Sequence, residues 1–167
     1  DGMTNVLHSI KKLLTRYFIG ILVQITGIIT LVSIGLTIIG IAFSDALLIG
    51  LVVGLMNIIP YLGPIIGACL GLILGLATHL YLPFYSELLP LLGYMTIVFI
   101  IVQVVDNVFF QPVIYSSSVN AHPMEIFLVI MMAASLFGIT GMILAIPSYT
   151  ILRVIAKEFF NNLKVVK

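Results

Sequence analysis

Between Arg16 and Arg153 the chain carries no lysine or arginine, and its acids there are Asp45, Glu87, Asp106 and Glu125. A soluble domain keeps its surface wet with about a quarter of its residues charged. Here 8 % are charged and 62 % hydrophobic, so the chain cannot cover itself with polar groups and its solvent is largely lipid. Backbone groups in lipid must be satisfied internally. With apolar runs this long the answer is an all-α, multi-pass integral membrane protein. The basic residues gather at the two ends: Lys11, Lys12 and Arg16 before the apolar runs, and Arg153, Lys157, Lys164 and Lys167 after them. Set against the head groups of membrane lipids, they place both termini on the cytoplasmic side. A formal net charge of +1 implies no nucleic-acid partner. Cys69 is the single cysteine, which excludes an internal disulfide. The start, "DGMTNVLHSIKKLLTRYF", lacks the order of a signal peptide. Because it opens on Asp-Gly, the chain reads as a fragment or a mature form.

Four uncharged stretches are legible: 17–44, 46–86, 88–105 and 126–152. Crossing the hydrocarbon core takes about 20 helical residues. The first stretch fits one slightly long helix, 17–40. The third fits a short one, 88–105, with room to run past Asp106. The second does not fit, because residues 46–78 as one rod would be about 50 Å long. "NIIPYLGPIIG" (57–67) divides that run into two arms, each too short to cross. The pattern suits a hairpin that enters the membrane and turns inside it. Gly50 and Gly54 on one arm, with Gly67, Gly71 and Gly75 on the other, have the spacing that lets helices approach closely in lipid. Residues 126–152 repeat the theme, with Gly138 and Gly141 mid-run.

The expected organisation is therefore a single transmembrane domain over 1–167. It comprises helix 17–40, a broken re-entrant hairpin over 46–78, helix 88–105 and a second over 126–152. The two halves would form an inverted repeat. Single crossings by all four runs would leave the termini on the same side, so charge alone does not choose. Interrupted segments in corresponding halves point to a transport site.

The richest polar cluster is "QVVDNVFFQP" (103–112). Gln103, Asn107 and Gln111 fall four apart on one helix face; Asp106 flanks that stripe, and Pro112 ends or kinks the helix. A carboxylate among amides suits a proton or a small cation such as Na⁺. The plainer alternative is a cap facing water. Asn57, one turn before Pro60, is placed to satisfy carbonyls that the proline frees. Tyr61 either closes the tip between Pro60 and Pro64 or meets a solute. Gln24 reads as interhelical glue rather than a site. His122, ahead of Pro123 and Glu125, marks a helix start or a proton-exchanging group. His79 reads as interfacial, and Tyr17, Tyr81 and Tyr85 suit an aromatic belt. No nucleotide loop, metal-ligand spacing or His–Cys pair is present, so no enzyme chemistry, metal or cofactor is expected.

"NIIPYLGPIIG", "QVVDNVFFQPVIYSSSVNAHP" (103–123) and "SLFGITGMILAIP" (135–147) resemble, in order and spacing, the C-terminal half of the AI-2E transporter family. The resemblance covers essentially the whole chain. Family chains carry further N-terminal membrane helices and a more polar helical region that are missing here. The resemblance implies an oligomeric permease of the bacterial inner membrane that exports a small solute such as autoinducer-2, some members exchanging Na⁺ for H⁺. By motif it singles out Asn57, Pro60, Tyr61, Gly63 and Pro64, then Asp106, Asn107, Gln111 and Pro112, then His122 and Pro123, then Gly138, Gly141 and Pro147. The leading expectation is a secondary transporter coupled to H⁺ or Na⁺. The alternatives are a membrane subunit or scaffold for partner proteins, and a passive channel.

Overall fold

The computed structural model describes residues 2–118 and 122–164, and all their regular structure is helical. Six helices follow in order: α1 (Gly2–Ile38), α2 (Phe43–Met56), α3 (Leu62–Thr78), α4 (Leu89–Val105), α5 (Gln111–Ser118) and α6 (Pro123–Lys164). Among the described residues three runs are, by length and composition, apolar enough to cross a membrane: Leu7–Ile38, Phe84–Ile114 and Met124–Ala156, the last of them interrupted at Gly138. The protein is a multi-pass, all-α membrane protein. The chain divides into two compact units, one of residues 21–112 and one of residues 1–20 with 113–167.

In the first of these units, α1 presents Ile28, Val32 and Leu36, four apart, to the core. It stops at Gly40, whose φ of 99° only glycine adopts cheaply. The Ile41 N–H reaches the Leu36 carbonyl at 3.1 Å and the Gly40 N–H the Thr37 carbonyl at 3.1 Å. That is the Schellman closure, with Leu36 and Ile41 both buried as its apolar clasp. From α2 the core takes Ala46, Ile49 and Val53, and from α4 Met95, Val98, Phe99 and Val102. The buried face of α3 consists of Gly63, Gly67, Gly71 and Gly75, so neighbouring atoms lie against its bare backbone.

The five packing glycines serve three interfaces rather than one. A Cβ on Gly50 would lie 2.5 Å from Ser33 Oγ, and one on Gly54 2.5 Å from Ile29 Cγ1; both therefore seat α2 on α1. Gly67 meets the Val53 backbone at 3.2 Å and closes α2 on α3. Gly71 faces Phe99 and Val53, and Gly75 faces Met95, which brings α3 to α4. A stripe of glycine gives close approach but does not name the partner.

The turn between α2 and α3 shows how two prolines are accommodated. Pro60 has no N–H, and the carbonyl it leaves, that of Met56, accepts from the Ile59 N–H at 3.1 Å. The Pro60 carbonyl, which Pro64 cannot reach, accepts from the Leu62 N–H at 2.8 Å. Tyr61 between them sits at φ 65°, ψ −47°, the centre of a strained γ-turn. Non-glycine residues hold such a conformation at a cost of about 1–3 kcal/mol. The arms, 14 and 17 residues, are about 21 and 26 Å long, short of the roughly 30 Å core.

In the other unit α6 consists of two helical arms that meet at Gly138, where φ is 60° and ψ −142°. Tyr149 Oη donates to Glu125 Oε2 at 2.7 Å. Along a straight helix those residues would be about 36 Å apart, so residues 123–137 and 139–164 lie back to back as a second hairpin. Gly141 faces the Ala133 carbonyl as Gly63 faces that of Met56, each with no room for a Cβ. Ile126 and Ile130 on one arm, and Ala145 and Ile146 on the other, are buried.

Two helices are longer than the bounds read from the sequence, and one tyrosine is placed differently. α1 begins at Gly2 rather than near Tyr17, because Lys11, Lys12 and Arg16 are good helix formers and extend it. The helix expected over 88–105 continues as α5 to Ser118. Pro112 does not end it, being the second residue of the regular helix that resumes at Gln111, where a missing N–H is cheap. Tyr17 is buried rather than in an interfacial belt, whereas Tyr81 and Tyr85 are exposed.

Candidate functional site

Asp106 is 1 % exposed and lies where α4 widens. Over Asp106–Phe110 the helix makes a π-turn, the Gln111 N–H bonding the Asp106 carbonyl. In a regular α-helix, residues five apart point about 140° away from each other. The extra residue in the wide turn brings Gln111 over Asp106, and Gln111 Nε2 donates to Asp106 Oδ2 at 2.8 Å. The same amide donates to Asn107 Oδ1 at 2.8 Å, and Gln103 Nε2 donates to that oxygen at 3.0 Å. From α1, Gln24 Nε2 donates to Asp106 Oδ1 at 2.6 Å. Both carboxyl oxygens are thus held, each by an amide, one from the helix of Asp106 and one from across the core.

The sequence reading of Gln24 as interhelical glue fits this bond, though it did not name the partner. Gln24 stands four residues before Ile28 on the stripe that continues through Val32 and Leu36, so it had to face the core. Its partner lies 82 positions away, beyond any local pattern. Asp106 also leaves the flank that a regular helix assigns it, and it is the buried centre of the network while Gln103 and Asn107 lie nearer the surface.

The charge balance is unusual. Residues 21–112 include no lysine or arginine, so no long basic side chain of this unit can pair with Asp106. A buried carboxyl without a counter-charge carries a proton or holds a cation. The amides suit either state, because half a turn of an amide exchanges an NH₂ donor for a carbonyl oxygen.

The tip residues Asn57, Pro60, Tyr61, Gly63 and Pro64 share this unit with Gln103, Asp106, Asn107 and Gln111. Asn57 is buried, and its Nδ2 donates to the Val53 carbonyl at 3.1 Å. It therefore reinforces the last turn of α2 instead of taking a proline-freed carbonyl. A cavity of about 310 Å³ lies among α1, α2, α3 and α4, with Asn57, Pro64 and Gln103 in its wall. His79 is buried, its Nδ1 near Thr78 Oγ1 at 2.8 Å and the Gly75 carbonyl at 3.1 Å. His122, Gly138 and Gly141 belong to the other unit. His122 is exposed, and its Nδ1 accepts the Met124 N–H at 3.4 Å, a helix-start contact. Among the described residues no cluster of three His, Cys, Asp or Glu side chains is placed to hold a metal ion.

A family model described as AI-2E family transporter matches residues 1–161. The chain belongs to the AI-2E transporter family. A relative, the Bacillus subtilis (strain 168) protein named "Putative transport protein YueF", is 40 % identical over 67 residues. That match covers 40 % of this AI-2E family chain and 17 % of the relative, so the chain spans a minor part of that protein's length. No solved structure matches it significantly.

Proposed function

We propose that this AI-2E family protein is a secondary transporter of a small organic solute, coupled to H⁺ or Na⁺ at Asp106. The observation that carries the reading is the buried Asp106 carboxyl, held by Gln24 and Gln111 in a unit without lysine or arginine. A membrane protein retains so costly a group when it has a function. A hydrogen-bonded run of Gln111, Asn107 and Gln103 leads from it to the wall of the cavity, so a change of charge at Asp106 is felt where a solute would sit. The two folded hairpins act as re-entrant elements of inverted halves, with strained backbone at Tyr61 and a glycine-only conformation at Gly138, in a bacterial inner membrane with both termini cytoplasmic. Export of an autoinducer-2-like molecule, and assembly as a homo-oligomer, rest on the family. The scaffold alternative drew on the short length and on the glycine-lined packing surfaces. Gly50, Gly54, Gly67, Gly71 and Gly75 are occupied by α1, α2 and α4 of the chain itself.

The test is proton flux into proteoliposomes of the full-length protein, read with an internal pH dye under imposed Na⁺ or K⁺ gradients. The proposal expects gradient-driven pH change in wild type and its loss in Asp106→Asn. Flux that survives the substitution, or no flux in folded wild type, overturns it.

A further inference from the structure

The two amides on Asp106 are held differently. Gln111 Nε2 donates to Asp106 Oδ2 at 2.8 Å and to Asn107 Oδ1 at 2.8 Å, so both of its N–H groups are committed. Asn107 Oδ1 is fixed in turn by Gln103 Nε2 at 3.0 Å. A half turn of the Gln111 amide would break two hydrogen bonds and set its carbonyl against two acceptor oxygens. Gln24 has a single hydrogen-bonded partner among the described residues, Asp106 Oδ1 at 2.6 Å. A half turn there breaks one bond. Gln24 is buried on α1. One turn further along α1, Phe110, the last residue of the π-turn, lies against the bare Gly27. The two helices touch at that crossing, so a change of charge at Asp106 is met by the Gln24 side chain more easily than by a shift of backbone.

We infer that Gln24 is the specificity-determining ligand of the Asp106 site. Its amide offers N–H to the bare carboxylate and turns to offer Oε1 when Na⁺ or a proton sits on Asp106 Oδ1. The inference rests on the transporter reading for its purpose, and adds which oxygen of the carboxyl the ion takes. Oδ2 keeps the Gln111 N–H in every state, and an oxygen facing a fixed donor is a poor seat for a proton or a cation. Oδ1 faces the one group free to change from donor to acceptor. With the amide turned, Na⁺ on Oδ1 meets two protein oxygens, the carboxylate and Gln24 Oε1, and oxygen is what a hard cation takes as ligand. A proton on Oδ1 is held by its own covalent bond, and Gln24 Oε1 only accepts its hydrogen bond. Loss of the Gln24 oxygen therefore takes a ligand from Na⁺ but leaves the proton its seat. Gln24 so sets the balance between the two ions.

The experiment is equilibrium dialysis of radioactive Na⁺ against the full-length protein in detergent, at fixed alkaline pH and with no gradient. Folding of each variant is checked by far-ultraviolet circular dichroism. Wild type is expected to bind Na⁺ saturably, and Asp106→Asn not at all. Gln24→Met, apolar and of similar shape, should weaken Na⁺ by about tenfold or more. Its Asp106 carboxyl should still take up and release a proton, read from the infrared carboxyl bands on acidification, which a collapsed site would not do. Gln24→Glu returns an oxygen at the same reach and should restore Na⁺ binding. Unchanged Na⁺ binding in Gln24→Met would overturn the inference. So would a folded Gln24→Glu as weak as Gln24→Met, or no saturable binding in wild type. Because binding is read without flux, a protein that binds Na⁺ in this pattern but moves no protons fails only as a transporter. Proton flux with normal Na⁺ binding in Gln24→Met fails only the role of Gln24.

Discussion

Removing Gln24 while Asp106 remains should cost far more than removing it once Asp106 is gone. In the structure Gln24 Nε2 donates to Asp106 Oδ1 at 2.6 Å, with both residues buried. A hydrogen bond to a charged or buried carboxyl contributes about 1.5–3 kcal/mol, while replacing both partners by apolar groups of similar shape is nearly neutral. Gln24→Leu should therefore lower stability by about 2 kcal/mol, roughly thirtyfold in the folded-to-unfolded ratio. In an Asp106→Leu background the same change should cost about 0.5 kcal/mol or less, leaving a coupling energy of roughly 1.5 kcal/mol or more between positions on different helices. The assay is SDS titration of the full-length protein in mixed micelles, followed by far-ultraviolet circular dichroism, for wild type, both singles and the double. Costs that add to within about 0.5 kcal/mol would show that the two side chains do not share a bond, and the account of the site would be wrong.

Other outcomes can be read by the same titration. Gly63→Ala and Gly141→Ala each drive a Cβ into a backbone carbonyl, of Met56 and Ala133 respectively, and each should cost about 3 kcal/mol, the upper range for overpacking. Gly93→Ala, with open space around the new Cβ, should stay within about 1 kcal/mol of wild type. Gly138→Ala also meets nothing, but its φ of 60° and ψ of −142° should cost about 1–3 kcal/mol in backbone strain alone, and Gly138→Ser should cost the same. Tyr149→Phe loses the 2.7 Å bond to Glu125 in a solvent-accessible setting, and about 1 kcal/mol with it.

The features that could be read from the sequence are those in which a residue type has one physical meaning. Gly40 could end α1 because a helix stop needs a left-handed residue, and the absence of lysine and arginine between Arg16 and Arg153 leaves lipid as the solvent. Chain breaks at Pro60, Pro64 and Gly138 are legible for the same reason. What the sequence withheld depends on register or on distant partners. Counting at 3.6 residues per turn put Asp106 beside the amide stripe, because nothing in "DNVFF" announces an extra residue in the turn. Gln24 was legible as interhelical glue, but its acceptor, 82 positions away on another helix, was not. The glycines announced close packing but not which backbone each one meets, since Gly50 and Gly67 look alike until α1 is in place. The basic residues before Tyr17 bounded the expected apolar helix, but a charge run says nothing about where a helix begins, and α1 starts at Gly2.

The proposal open to the most direct test is coupling at Asp106 in its antiport form, in which the carboxyl gives up its proton as Na⁺ enters the amide cradle. The most direct measurement is the infrared difference spectrum of the full-length protein in liposomes on adding Na⁺ at fixed pH, wild type against Asp106→Asn. The account predicts loss of a protonated-carboxyl band with gain of a carboxylate band in wild type, and neither in Asp106→Asn. A wild-type spectrum without those bands, or the same bands in Asp106→Asn, would contradict it.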